Sequence, residues 1–156
     1  GTALRLQLGL IDHVEPVAFA VGRAQSLSGL SMRQLALKAG INKDTLWRCL
    51  KGNRPYEVST ILPLVAVAGL PPVTCLTLAL TIETDELDAW LSTGAVGFLD
   101  TLMASVPGAV AVELGNNLGE LKSKWGIGAA RLVGKRLADH VAENEARDRN
   151  LAIATQ

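Results

Sequence analysis

An all-α fold is predicted by three features of this 156-residue chain. Apolar residues make up 49% of it, with Ala, Leu, Val and Gly dominant, while aromatic residues supply only 4%. Close-packed helices suit that composition better than a sheet rich in Tyr, Phe and Ile. Apolar positions also recur at three- and four-residue spacing between Gly, Pro and Ser breaks, the period of helices that each bury one stripe. Nearly half the residues being apolar, a core can form and a disordered chain is excluded.

The elements follow in order. Pro16 suits the first turn of a helix, and Val17, Ala20, Val21, Ala24 and Leu27 keep helical spacing until Ser28-Gly29. In "LSMRQLALKAG", Ser31 precedes Gln34 by three residues, the spacing of a reciprocal capping box. Leu35, Ala36 and Ala39 then face inward, and Gly40 is placed to take the left-handed conformation that ends the helix. A second short helix starts after Ile41, with Asn42 as N-cap and Asp44 in the first turn, where the helix dipole favours an anion. Leu46, Cys49 and Leu50 share one side of it, while Lys43, Asp44, Trp47, Arg48 and Lys51 share the other. Gly52 and Pro55 close it.

From Ile61 to Ile82 the chain carries no charge and is nominally long enough to span a bilayer. The Pro71-Pro72 pair would break such a span, and its flanks are Glu57 and Glu83 rather than cations. Two short buried helices around a proline turn are expected instead, with no membrane association; Pro63 kinks the first or sits in its opening turn. Next comes a helix capped by Thr84, acidic at Asp85, Glu86 and Asp88, with Leu87, Trp90 and Leu91 inward. A short helix over Val96–Ala104 is expected to end at Pro107-Gly108. Small residues then recur every four positions at Ala111, Gly115 and Gly119, and again at Gly126, Ala130, Gly134, Ala138 and Ala142. That spacing suits either an intramolecular helical hairpin or a self-association surface, and residues 142–156, of mixed charge, are expected to fray.

Charge is balanced overall, with 15 Lys and Arg against 15 Asp and Glu, yet it is unevenly placed. Between Gly22 and Tyr56 the cations Arg23, Arg33, Lys38, Lys43, Arg48, Lys51 and Arg54 face Asp44 alone. From Pro55 to Leu121 there is no Lys or Arg; cations return at Lys122, Lys124, Arg131, Lys135 and Arg136. That later set fits a solvated helix face or a partner for the acidic middle better than a nucleic-acid contact. No catalytic constellation is visible: His13 and His140 are isolated, no Gly-rich phosphate loop follows a strand, and no Cys/His metal spacing occurs. No enzyme, cofactor or metal is expected. Cys49 and Cys75, far apart, fit reduced thiols in a cytoplasmic protein.

The run from Ser31 to Pro55 resembles the helix-turn-helix of the Cro/CI class of repressors, also called the XRE family. The shared features are the small Ala36, the turn at Gly40, the buried aliphatic Ile41, the polar helix from Asn42 and the exit "KGNRP". The likeness covers about residues 16–70. Trp47, Leu50 and Pro63 depart from the pattern. The resemblance implies a lambda-repressor-like helix-turn-helix domain over 1–70, followed by a helical oligomerisation or interaction domain over 71–156. It implies a bacterial or phage regulator, a repressor in type and nucleoid-associated, that binds double-stranded DNA as a homodimer; the acidic middle adds the transcription machinery as a candidate partner.

In this class the second helix of the motif enters the major groove, which makes Asn42, Lys43, Asp44, Trp47 and Arg48 the base-contact candidates. Arg48 or Lys43 can donate to guanine O6 and N7. Asp44 can accept from cytosine N4 or, equally, orient Arg48 one turn on. Trp47 can stack on a sugar or meet a thymine methyl; folding back over Leu46 and Leu50 is the favoured reading. Phosphates fall to Ser31 at a helix start, to Arg33, and to Lys51, Asn53 and Arg54 at the exit. The alternative is an adaptor of the same fold that binds protein through its acidic C-terminal helical half.

Overall fold

Short segments that each carry one apolar stripe at helical spacing satisfy their backbones internally as helices and hide those stripes against one another. The computed structural model has that form, and it describes residues 10–11 and 15–154. Its helices are α1 (Glu15–Ser28), α2 (Met32–Ala39), α3 (Lys43–Leu50), α4 (Val58–Val67), α5 (Pro72–Thr81), α6 (Thr84–Leu91), α7 (Ala95–Leu114) and α8 (Gly126–Ala154). Two-residue strands β1 (Leu10–Ile11) and β2 (Tyr56–Glu57) pair antiparallel, Leu10 opposite Glu57 and Ile11 opposite Tyr56. Two 3₁₀ segments, Gly115–Glu120 and Ser123–Trp125, lie between α7 and α8. The chain is all-α.

It divides into two compact units, one through Pro107 and one from Gly108 onward. In the first, α1 is central: its small buried residues Val17, Ala20, Val21 and Ala24 let α4, α5 and α6 approach closely. Leu35 and Ala36 of α2, Leu46 and Cys49 of α3, Ile61, Leu64 and Val65 of α4, and Tyr56 complete the core on one side. Cys75, Leu78 and Ala79 of α5, Leu87 and Leu91 of α6, and Val96 of α7 complete it on the other. The compact unit therefore reaches past residue 70, where the sequence suggests a boundary, because α5 and α6 bury their stripes on α1. Thr74 Oγ1, buried in α5, donates to Asp100 Oδ1 at 2.7 Å and ties α7 to the same core.

Several local expectations change. Pro63 lies inside α4 rather than in its opening turn; the bond it forgoes would have ended on the carbonyl of Ser59, an exposed residue that water can serve. Thr84 is not a cap: Glu83 holds the N-cap position in extended backbone and makes no side-chain bond to the helix, and Thr84 is its first residue. Pro107-Gly108 does not stop α7, which runs to Leu114. The carbonyl that Pro107 leaves unbonded belongs to Met103, which is exposed. Gly115, at φ +52°, ends the helix instead, so Ala111, Gly115 and Gly119 do not share one helical face.

In the second unit α8 is helical as far as Ala154, through the segment expected to fray, and it buries no residue. Its small-residue series is therefore not the packed seam of an intramolecular hairpin. Among the described residues one stretch, Ala95–Glu120, is long and apolar enough to cross a bilayer. Helices α4 and α5 would reach that length together, but they are bent by 119° at the break before Pro72.

Candidate functional site

Helices α2 and α3 are each only eight residues long, too short to hold alone, so their ends and their buried sides fix them. Ser31 Oγ accepts from the Gln34 amide at 3.2 Å, and Gln34 Oε1 accepts from the Ser31 amide at 3.0 Å. Gly40, at φ 69°, turns the chain, and the Ile41 amide reaches back to the Ala36 carbonyl at 2.8 Å. Two residues on, Asn42 Oδ1 accepts from the amides of Asp44 at 2.8 Å and Thr45 at 3.3 Å, which starts α3 at once. Leu46 and Cys49 then seat α3 in the core, and Asn53 N donates to the Arg48 carbonyl at 2.9 Å as the helix closes.

With that side buried, the opposite face holds Lys43, Asp44, Trp47, Arg48 and Lys51, all exposed, with Asn42 exposed at its start and Asn53 beyond its end. Ser31 and Arg33 are exposed on the neighbouring helix. Arg33 and Lys43 come together with Ala36, Leu37 and Ile41 around a shallow cavity of about 240 Å³ between the helices. Leu37, 80% exposed, belongs to this face and went unread in the sequence. The signal was its place one turn after Arg33, on the side that Leu35 and Ala36 turn away from.

On this face Trp47 stands 48% exposed, with the Lys51 ammonium 5.7 Å from its ring centroid. That stacking holds two flat or cationic groups together on the surface. Asp44 makes no ion pair with Arg48, and among the described residues Arg33, Lys43, Arg48 and Lys51 have no carboxylate partner. Arg54 does: its Nη2 lies 3.0 Å from Glu57 Oε1, half-buried beside β2, so its charge is already met.

Elsewhere the chemistry is quiet. Arg23 Nε lies 3.4 Å from Asp88 Oδ1, close enough for a Coulombic pair and not aligned as a hydrogen bond, beside an open groove of about 630 Å³ between α1 and α6. Burial pushes the Cys49 thiol up and the Cys75 thiol to about 11, leaving both as neutral core groups rather than nucleophiles. Among the described residues no three His, Cys, Asp or Glu side chains gather to hold a metal. His13 lies outside the described residues, and His140 Nε2 sits 3.2 Å from Asn144 Nδ2 on exposed α8. No family model matches the chain, and no match was found among curated proteins or solved structures.

Proposed function

We propose that this chain is a sequence-specific regulator that binds double-stranded DNA with a lambda-repressor-like helix-turn-helix, α2 and α3, and acts as a homodimer in the cytoplasm. The observation that carries the reading is the division of α3: Leu46 and Cys49 fully in the core, and an unbroken outer row of Lys43, Asp44, Trp47, Arg48 and Lys51 in solvent. A capped helix with one polar, mostly cationic face has the width and donors to enter a major groove. Arg48 and Lys43 read guanine; Asp44, free of Arg48, accepts from cytosine; Trp47, half exposed, offers a flat surface to a sugar or thymine methyl. Arg33, Lys51, Ser31 and Asn53 hold phosphates, with Arg54 contributing less because Glu57 neutralises it.

A membrane role is disfavoured by how α7 begins. Val96 is buried, and Asp100 is bound to Thr74, so the first turns of the apolar stretch Ala95–Glu120 are packed on the folded core and carry a carboxylate rather than facing lipid. The second reading, an adaptor for another protein such as the transcription machinery, is favoured by one observation: Phe98, Met103, Val106 and Val112 are exposed in a stretch without cations.

Selection from a random duplex library at near-physiological salt tests the proposal. A recovered motif with paired half-sites about one helical turn apart, and loss of preference at one position in Arg48→Ala, is the expected result. No enrichment over bulk DNA would refute it in favour of the adaptor.

A further inference from the structure

We propose that α8 joins two copies of this chain as an antiparallel helix pair, the basic first half of each helix lying along the acidic second half of the other. The 29-residue helix carries one seam at alternating three- and four-residue spacing: Ile127, Ala130, Gly134, Leu137, Val141, Asn144, Asp148 and Leu151. Its apolar members stand in solvent, Ile127 67% exposed, Val141 55% and Leu151 60%, and of the seam only Asn144 is partly covered. Leu132 and Ile153 lie off the seam.

Charge chooses the occupant and its direction. From Gly126 to Ala138 the ionisable residues are Arg131, Lys135 and Arg136, all cationic. From Asp139 onward Asp139, Glu143, Glu145 and Asp148 outnumber Arg147 and Arg149. A second copy running the opposite way sets each half against its complement, whereas a parallel copy sets like against like.

The register agrees. Antiparallel layers put Ile127 against Leu151 of the second copy and Leu137 against Val141. The two polar seam residues, Asn144 and Asp148, then face Gly134 and Ala130, whose small side chains leave them room to turn toward water. Arg131 flanks the seam opposite Glu145 of the second copy, and symmetry makes that pair twice. A parallel pair would instead press Asp148 against Asp148 and leave Arg131 beside Gly126.

The proposal rests on the dimeric reading above and is tested without DNA, on the full chain, by sedimentation equilibrium. Arg131→Glu and Glu145→Arg should each raise the dimer dissociation constant by about tenfold, since each turns two attractive pairs repulsive. The double variant should return it to within about twofold of the parent. Every substituted position is exposed, so helix content by circular dichroism should not change. A dimer that ignores the single changes, or is not restored by the double, overturns the antiparallel pairing while leaving the dimer intact. A chain that stays monomeric at high concentration overturns both.

Discussion

Lys51 and Arg54 sit three residues apart at the exit of α3, yet they should respond very differently to removal. Arg33, Lys43, Arg48 and Lys51 carry charge with no carboxylate partner among the described residues, whereas Arg54 lies 3.0 Å from Glu57. A cation that meets a phosphate releases a counterion and steepens the fall of log K with log salt by about 0.9. If only Arg33 and Lys51 reach phosphate, the slope is about −1.8 per protomer; if Lys43 and Arg48 also do, about −3.6. Lys51→Ala should therefore flatten the slope by about 0.9 per protomer, and Arg54→Ala by much less. Glu57→Gln should steepen it by freeing Arg54. Fluorescence anisotropy with a fixed duplex from 50 mM to 200 mM salt reads all three slopes. Equal losses from Lys51→Ala and Arg54→Ala, or no steepening in Glu57→Gln, would refute the assignment of the free and neutralised cations.

Three further outcomes follow from local contacts. Asn42→Ala removes the acceptor for two amides at the start of α3 and should cost about 1 kcal/mol in urea unfolding; an unchanged midpoint would mean that the cap contributes nothing. Asp100→Ala leaves the buried Thr74 hydroxyl without its partner and should cost about 1–3 kcal/mol, with Thr74→Val restoring part of it; failure of that rescue would count against the tie. Burial raises the Cys75 thiol to about 11 from an ordinary 9.0. Its share of stability is full below pH 9 and is lost as pH rises toward 11, because the unfolded chain gives up its proton first. Cys75→Ala should abolish about 2 kcal/mol of that alkaline loss, measured by denaturation at pH 8 and pH 10.5; an identical decline in both proteins would sink the attribution.

The first three helices were legible because their signals are local. Ser31 and Gln34, Gly40, and Asn42 each act within one turn, so spacing alone places them. What depends on groups distant in sequence, or on the choice between rotamers, was not legible. Trp47 stacks with Lys51, and Arg54 is drawn to Glu57. Pro107-Gly108 reads as a stop from sequence, yet the exposed Met103 carbonyl loses little by turning to water, so α7 continues to Leu114. The extension of the first unit past residue 70 depends on which helix covers α1, and no short motif encodes that. The fold class was open to composition and period; the site's positions were legible, their ion pairing was not.

The division of α3 also bears on how such a protein changes over time. Its placement relies on Gly40, Asn42, Leu46 and Cys49, none of which lies in the outer row. Lys43, Asp44, Trp47 and Arg48 can each be exchanged while that scaffold stays whole, and exposed exchanges of this kind usually shift stability by no more than about 0.5 kcal/mol. New preferences can then be sampled one residue at a time, in evolution or in the laboratory, without first acquiring a stabilising change elsewhere. Ile41 and Leu37 are the exceptions to watch: they border the cavity shared by Arg33 and Lys43, and altering them would move two cations together.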